Sequence, residues 1–470
     1  MWDLLLKNGR VVDPMHGRDG VMDVAVENGR IAEVGPGLAG RARVVEDLEG
    51  RLVVPGIVDA HMHLGSLYGS PYGARMAALS GVTTCLDMAG PLDEILRETH
   101  PRGAGLNVAV MDRFEPNERC GTNDPDEAQI EAFADECTSH GALGVKLVGG
   151  HWPLTPEACR RTIEICCRKK YAVAWHAGTT TEHSDLSGLR QAVEIIGEHP
   201  VHLAHINSYC RGQVKAPEVE AAEAIDLLKQ HPNIWSEAYL SPYNGTHLSC
   251  DAEGNALDFV TKNCLDAFRL PRTAEGIRTA LRRSIAHVLR DNGSVCEIVR
   301  GEEAVRYWES RRQEAVVGCF PVNAAVSRLM LAQAKRADGS FVVDAISTDG
   351  GCIPRNVIVN MGLLLVKFGV LTLSDFVVKA SLNPARHLRL FDRGHFGEGA
   401  AADITVLDFD RETAVESYVG GVLNMKNGVL YGQGTTFITT ERGKKHLENL
   451  GYPVILTDTA EPEPERLAAF

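Results

Sequence analysis

The sequence predicts an α/β protein: a (β/α)8 barrel of the TIM type with a small β-sandwich built from both ends of the chain. Three observations predict it. Both ends read as short strands broken by turn residues. Between them, eight apolar runs alternate with helix-like amphipathic stretches. Side chains of the kind that bind metals stand at the ends of five of those runs.

The N-terminal strands are expected at Leu4–Leu6, Arg10–Val12, Val21–Val26, Ile31–Val34 and Arg51–Val54, with Asn-Gly, Gly-Pro-Gly and Glu-Gly turns between them. The same texture returns at Ile404–Leu407, Val415–Val422 and Val429–Tyr431. Residues 1–55 and 396–440 are therefore assigned to one sandwich, and 441–470 to a C-terminal extension. Within that extension the polar stretch Thr-Ala-Glu-Pro-Glu-Pro-Glu-Arg is expected to be mobile.

Residues 56–395 are assigned to the barrel. Its strand candidates are Leu52–Val58, Val82–Asp87, Leu106–Val110, Ala142–Leu147, Ala172–His176, Val201–His205, Ile234–Ala238 and Val342–Thr348. Periodicity alone also allows an open doubly wound sheet. Roughly a hundred residues separate the last two candidates, far more than an ordinary βα connection needs. Helical patterns at Leu257–Phe268, Ala274–Arg290, Glu302–Arg312 and Ala324–Lys335 fill the gap, so a helical insertion is expected at about 243–338, serving as a lid or an oligomer contact.

Bulk properties narrow the function. The 470 residues are 44% hydrophobic and 23% charged, which suits one barrel plus a smaller module. A formal charge of −14, with no block of Lys and Arg, argues against nucleic acid and anionic membranes as partners and leaves a small-molecule substrate. The opening Met-Trp-Asp-Leu-Leu-Leu run lacks the basic start of a signal peptide, and no apolar stretch is long enough to span a bilayer. Twelve scattered cysteines with no CxxC pair imply reduced thiols and a cytoplasmic setting.

His61 and His63 close the run Pro-Gly-Ile-Val-Asp-Ala-His-Met-His. In a strand, positions two apart share a face, so both imidazoles and Asp59 are expected to project together as half of a zinc shell. Lys146 sits in Gly-Ala-Leu-Gly-Val-Lys-Leu-Val, in phase with Ala142 and Gly144, so its ammonium would point into the barrel. That is costly unless it is paired or chemically altered. Carboxylation by carbon dioxide would make it an anion able to bridge two cations; a rim lysine snorkelling to water is the alternative. His176 and His205 end the fifth and sixth candidates, and Asp349 follows the eighth in Ser-Thr-Asp-Gly-Gly. His202 lies out of phase with His205 and is read as a packed or surface residue.

These residues resemble the amidohydrolase superfamily, in the branch of hydantoinases, dihydroorotases, isoaspartyl dipeptidases and D-aminoacylases. The likeness runs through Asn8–Asp13, Asn28–Ile31, Pro55–His63, Gly81–Thr84, Lys146, His176, His205, Asp349, Asn383-Pro384-Ala385 and Gly397–Leu407. It implies two divalent metal ions, zinc first among them. His61, His63 and Asp349 would hold one, and His176 and His205 the other. A carbamate on Lys146 and a hydroxide would bridge them, with Asp349 shuttling the proton.

The implied activity is hydrolysis of a C–N amide bond in a cyclic amide, imide, ureide or N-acyl amino acid. A heterocycle deaminase, a lactone or phosphoester hydrolase and a non-catalytic scaffold are the alternatives. D-aminoacylases bridge their metals with a cysteine, so Cys85 or Cys352 could fill that role, but Lys146 makes the lysine bridge the better assignment and Cys85 a packing residue. Arg211 and Arg355 are candidate grips for a substrate carboxylate, with Tyr209, Tyr239 and His151 as further rim candidates. Family habit implies a homo-oligomer.

Overall fold

The computed structural model describes residues 1–65, 71–311, 316–461 and 466. Strands β1 (Trp2–Asp13), β2 (Arg18–Glu27), β3 (Arg30–Gly35), β4 (Ala42–Asp47) and β5 (Leu52–Pro55) come first. The barrel strands β6 (Ile57–His63), β7 (Val82–Asp87), β8 (Ala104–Arg113), β9 (Gly144–Val148), β10 (Ala172–His176), β11 (Val201–Leu203) and β12 (Ile234–Tyr239) follow. After an insertion carrying β13 (Thr246–His247), β14 (His287–Asp291), β15 (Cys296–Val299) and β16 (Val317–Cys319) come β17 (Ala345–Ser347) and β18 (Gly350–Gly351). The chain ends with β19 (Ile404–Asp408), β20 (Thr413–Val419), β21 (Val422–Lys426), β22 (Val429–Leu430), β23 (Gly434–Thr439) and β24 (Val454–Leu456).

Strands from both termini form one nine-stranded sheet, in the order β22-β21-β20-β19-β5-β1-β2-β3 with β4 beside β1. Its apolar side chains, among them Leu4, Leu6, Val24, Val26, Ile31, Val53, Ile404 and Val406, share a single core. The run expected as the first barrel strand, Leu52–Val58, is in fact divided. β5 pairs with β19 and β1, whereas the barrel strand begins at Ile57. Gly56 makes the crossing possible: a Cβ there would lie 2.3 Å from Thr83 Oγ1 and 2.8 Å from Asp403 Cβ.

Strands β6 to β12 pair in sequence order, all parallel. β17 pairs with β12 and β18 with β6, so the eighth barrel strand closes the ring in two short pieces. The break falls at Thr348 and Asp349. Such a ring places side chains from the C-terminal strand ends around one mouth, where barrel enzymes build their sites.

Three expectations are corrected. The insertion is not wholly helical: β13, β16, β14 and β15 form their own antiparallel sheet. The helix expected over Ala274–Arg290 stops at Arg282, and His-Val-Leu-Arg-Asp becomes β14, because a second short run, Cys-Glu-Ile-Val, pairs with it. The insertion also ends before 338, since the helix Ala325–Gln333 packs on the barrel helix Pro217–Gln230. Thirdly, β23 leaves the terminal sheet to run parallel to β8, with β24 outside it. Of the tail expected to be mobile, 462–465 and 467–470 lie outside the described residues, while Arg466 pairs with Asp344 at 2.5 Å. Among the described residues no helix is long and apolar enough to cross a membrane.

One buried charge at the barrel wall yields a stability test. Lys379, in the π-helical turn Val378–Leu382, donates to Val343 O at 2.5 Å and lies 4.2 Å from the centre of the Phe341 ring. Burial pushes its pKa down from 10.5 to about 7, against the opposing pull of Asp344 and Asp375. Between these two values the unfolded chain holds a proton that the folded chain has lost. Stability from this group therefore falls as pH drops through that window, and the loss is complete below it. Lys379→Met is expected to gain on the wild type as pH is lowered from about 10 to about 7, read as the difference in urea midpoints. A difference that does not change with pH would show that this amine titrates normally.

Candidate metal centre

The site is built around β6. Its register against β7 shifts between Asp59 and Met62, a bulge that separates Asp59 from the two histidines. The expectation that Asp59 joins His61 and His63 is therefore corrected. Its carboxylate accepts from the N–H groups of His61 and Thr348 and, at 2.6 Å, from the Thr348 hydroxyl. Burial pushes it up to about 7, with the Thr348 bonds opposing. Asp59 stitches the first barrel strand to the eighth.

His61, His63 and Asp349 do converge, with one ligand atom from each lying within 4.8 Å of the others. Asp349 Oδ1 is 2.8 Å from His63 Nε2 and 3.5 Å from His61 Nε2. Asp349 can reach them because it leaves the strand in a left-handed conformation, φ +50°, while its N–H holds His61 O at 2.8 Å. A non-glycine residue in that region stores strain of a kind that clusters at functional sites. Burial alone would raise the Asp349 carboxylate, but Arg355, His61 and His63 outweigh it and hold the group well below the usual range.

His176 and His205 form the neighbouring pair, with ring centres 4.4 Å apart, and His205 lies 5.0 Å from His61. His205 also has positive φ, +34°. Burial lowers His61, His176 and His205 well below the ordinary histidine value, which keeps these imidazoles neutral, the form that binds metals. Lys146 is buried and inward, as its phase with Gly144 implies. Its amine meets Met88 Sδ at 3.7 Å. Burial pushes it down to about 8, with Glu237, Asp349 and Asp87 pulling the other way.

The donor set fits a divalent cation: two imidazoles and a carboxylate meet at one point, and His205 Nδ1 beside them is buried without a hydrogen-bond partner.

The other candidates fall around this centre. Tyr209 stands 5.8 Å from His205, ring to ring, and its hydroxyl accepts from Ala177 N–H. His151 is exposed at the mouth, 6.3 Å from His176 and 5.4 Å from Phe259 of the insertion. Arg211 is held by Asn323 Oδ1 at 2.8 Å, the Tyr239 hydroxyl at 2.9 Å and Ser208 Oγ at 3.2 Å. Arg355 is buried against Asp349, 2.6 Å from Oδ2, and donates to Tyr243 O at 3.0 Å. Cys85 is buried among core residues, and Cys352 packs with Met76 and Ile353; neither belongs to the ligand cluster. His202 packs edge-on against the stacked rings of Trp235 and His387, as a core residue.

Sequence reasoning missed Glu237, whose carboxylate accepts from His61 Nδ1 at 2.7 Å. It also missed Asn323, which ties the insertion to Arg211. A carboxylate inside Ile-Trp-Ser-Glu-Ala-Tyr, an otherwise buried strand, was the available signal for the first.

Comparisons with known proteins identify the family and the fold. Residues 52–433 match the model of the amidohydrolase family. A dihydroorotase of Geobacter metallireducens is 26% identical over 443 residues, covering 86% of this chain and 90% of that one. The N-acyl-D-glutamate deacylase of Bordetella bronchiseptica, solved with zinc and a phosphonate inhibitor, superposes with a TM-score of 0.65 at 15% identity, over 92% of this chain and 98% of that one. A D-aminoacylase gives 0.65 at 18% identity, over 93% and 99%. The likeness to the solved proteins is one of fold, and it places this chain among barrels of the same build. With the match spanning most of its length, the chain belongs to the amidohydrolase family and is a hydrolase acting on carbon–nitrogen bonds other than peptide bonds.

Proposed function

We propose that the protein hydrolyses the amide bond of a cyclic amide, imide or ureide, or of an N-acyl amino acid, at a centre of two divalent cations. The observation that carries this reading is the meeting of His61, His63 and Asp349 beside the His176–His205 pair. His61, His63 and Asp349 would hold one cation and His176 and His205 the other, with Lys146 as its carbamate between them. Imidazole and carboxylate donors favour zinc. Bound there, the cations would acidify a water and polarise the scissile carbonyl.

The chain's own groups do the rest. Asp349 takes the proton of the attacking water at its carboxylate and returns it to the leaving nitrogen. Arg211, fixed on one edge by Asn323, Tyr239 and Ser208, offers its remaining N–H groups to a substrate carboxylate. The Tyr239 hydroxyl already accepts from Arg211 and from Asn323 Nδ2 at 3.0 Å, so its own proton is left to donate. His151 stands at the way in, and Tyr209 is buried beside His205 and His176. Arg355 is committed to Asp349 and supports that carboxylate.

The test is a screen of zinc-loaded protein against cyclic ureides, imides and N-acyl D- and L-amino acids, with ring opening or amine release as the readout. Turnover in one of these classes is expected; none with metal bound would sink the reading. For a carboxylate-bearing substrate, Arg211→Met should raise KM about tenfold or more with kcat little changed. An unaltered KM would remove Arg211 from the substrate.

A further inference from the structure

We infer that Glu237 is the positioning residue that sets both halves of the metal centre at once; this rests on the two-cation reading above. Glu237 stands on β12 and is fully buried. Its Oε1 accepts from His61 Nδ1 at 2.7 Å and from the backbone N–H of His205 at 2.5 Å. Its Oε2 accepts from the hydroxyl of Ser347, two residues before Asp349. One carboxylate therefore reaches the ends of three other barrel strands, each carrying a ligand candidate.

Each bond has a separate consequence. With its Nδ1 proton given to Glu237, His61 is held in the tautomer whose Nε2 lone pair is free, and Nε2 is the nitrogen that faces Asp349. The bond to the His205 N–H secures a residue whose backbone lies at φ +34°, where an unsupported histidine is disfavoured. That conformation sets the His205 ring beside both His176 and His61. The Ser347 bond ties down the strand just before the break from which Asp349 projects.

Among the described residues the ion-pair partners of Glu237 are imidazoles, His61 and, at 3.8 Å, His202; no lysine or arginine lies within 4.0 Å.

The test strips the wild type, Glu237→Gln and Ser347→Ala of metal and titrates each with Zn2+ against a competing chelator, alongside thermal midpoints of the metal-free forms. Glutamine keeps the shape of the side chain and a carbonyl oxygen for the two N–H donors, but it removes the negative charge that strengthens those bonds and sets an NH2 where Oε2 accepted from Ser347. Glu237→Gln is expected to weaken zinc binding about 10- to 100-fold at both sites. Ser347→Ala should weaken it several-fold in the same direction. A purely structural Glu237 would lower the metal-free midpoint and leave zinc affinity alone, so wild-type affinity at either site in Glu237→Gln overturns the inference. If that variant fails to fold, unchanged affinity in Ser347→Ala does so instead. A wild type that binds no zinc would sink the two-cation reading itself, and this inference with it.

Discussion

Lys146→Ala should remain folded, hold fewer cations than the wild type and lose at least about 1,000-fold in kcat/KM, equivalent to roughly 4 kcal/mol of transition-state stabilisation. The expectation comes from where the amine is. Lys146 lies on β9, fully inside the barrel, and Met88 Sδ is its hydrogen-bond neighbour. Burial has already moved it toward neutrality, to about 8. The neutral amine is the form that adds carbon dioxide, releasing a proton and leaving a carbamate. Alanine cannot supply that anion, so two cations would face each other without a bridge. Their mutual repulsion would then expel one of them.

The fold should survive, because the wall of β9 rests on Val145 and Leu147, which pack outward in the main core. Elemental analysis of the purified variant, with circular dichroism as the control for folding, checks this. Wild-type metal content in Lys146→Ala would end the bridging role.

Asp349→Asn should lower kcat about 100- to 10,000-fold, the span that general acid–base groups contribute, with KM changing much less. Asparagine matches the carboxylate in size and retains an oxygen for Arg355 or His63, which now sit 2.6 and 2.8 Å from it. Structure is therefore expected to persist. What disappears is the ability to accept a proton and deliver it to the leaving nitrogen. Some loss of the cation held with His61 and His63 should accompany it, so the kinetics are to be read at saturating metal. Normal turnover under those conditions would strip Asp349 of the proton shuttle.

Much of the centre was legible in the chain itself. A strand repeats every two residues, so an apolar run ending in His-Met-His, or a lysine in phase with small residues, already says which side chains share a face and which end of the strand they occupy. Eight such runs alternating with helical stretches suit a ring, although their periodicity alone also allows an open sheet. A ring brings its strand ends together wherever the ligands fall in the sequence. His61, His63, Lys146, His176, His205 and Asp349 could all be named on those grounds. Asp59 could not be placed correctly, because the bulge that turns it toward Thr348 has no distinct sequence signal.

The sequence by itself thus determined most of the barrel strands and singled out six ligand candidates, since these follow from local periodicity and residue type. Only the tertiary structure decided which groups support them. Glu237 bonds to His61 across 176 positions, β23 chooses β8 over the terminal sheet, and Asn323 returns from the insertion to grip Arg211. Those partnerships depend on chain closure and on which strands become neighbours. They are set by the packing of the whole barrel, and no short window of residues contains them.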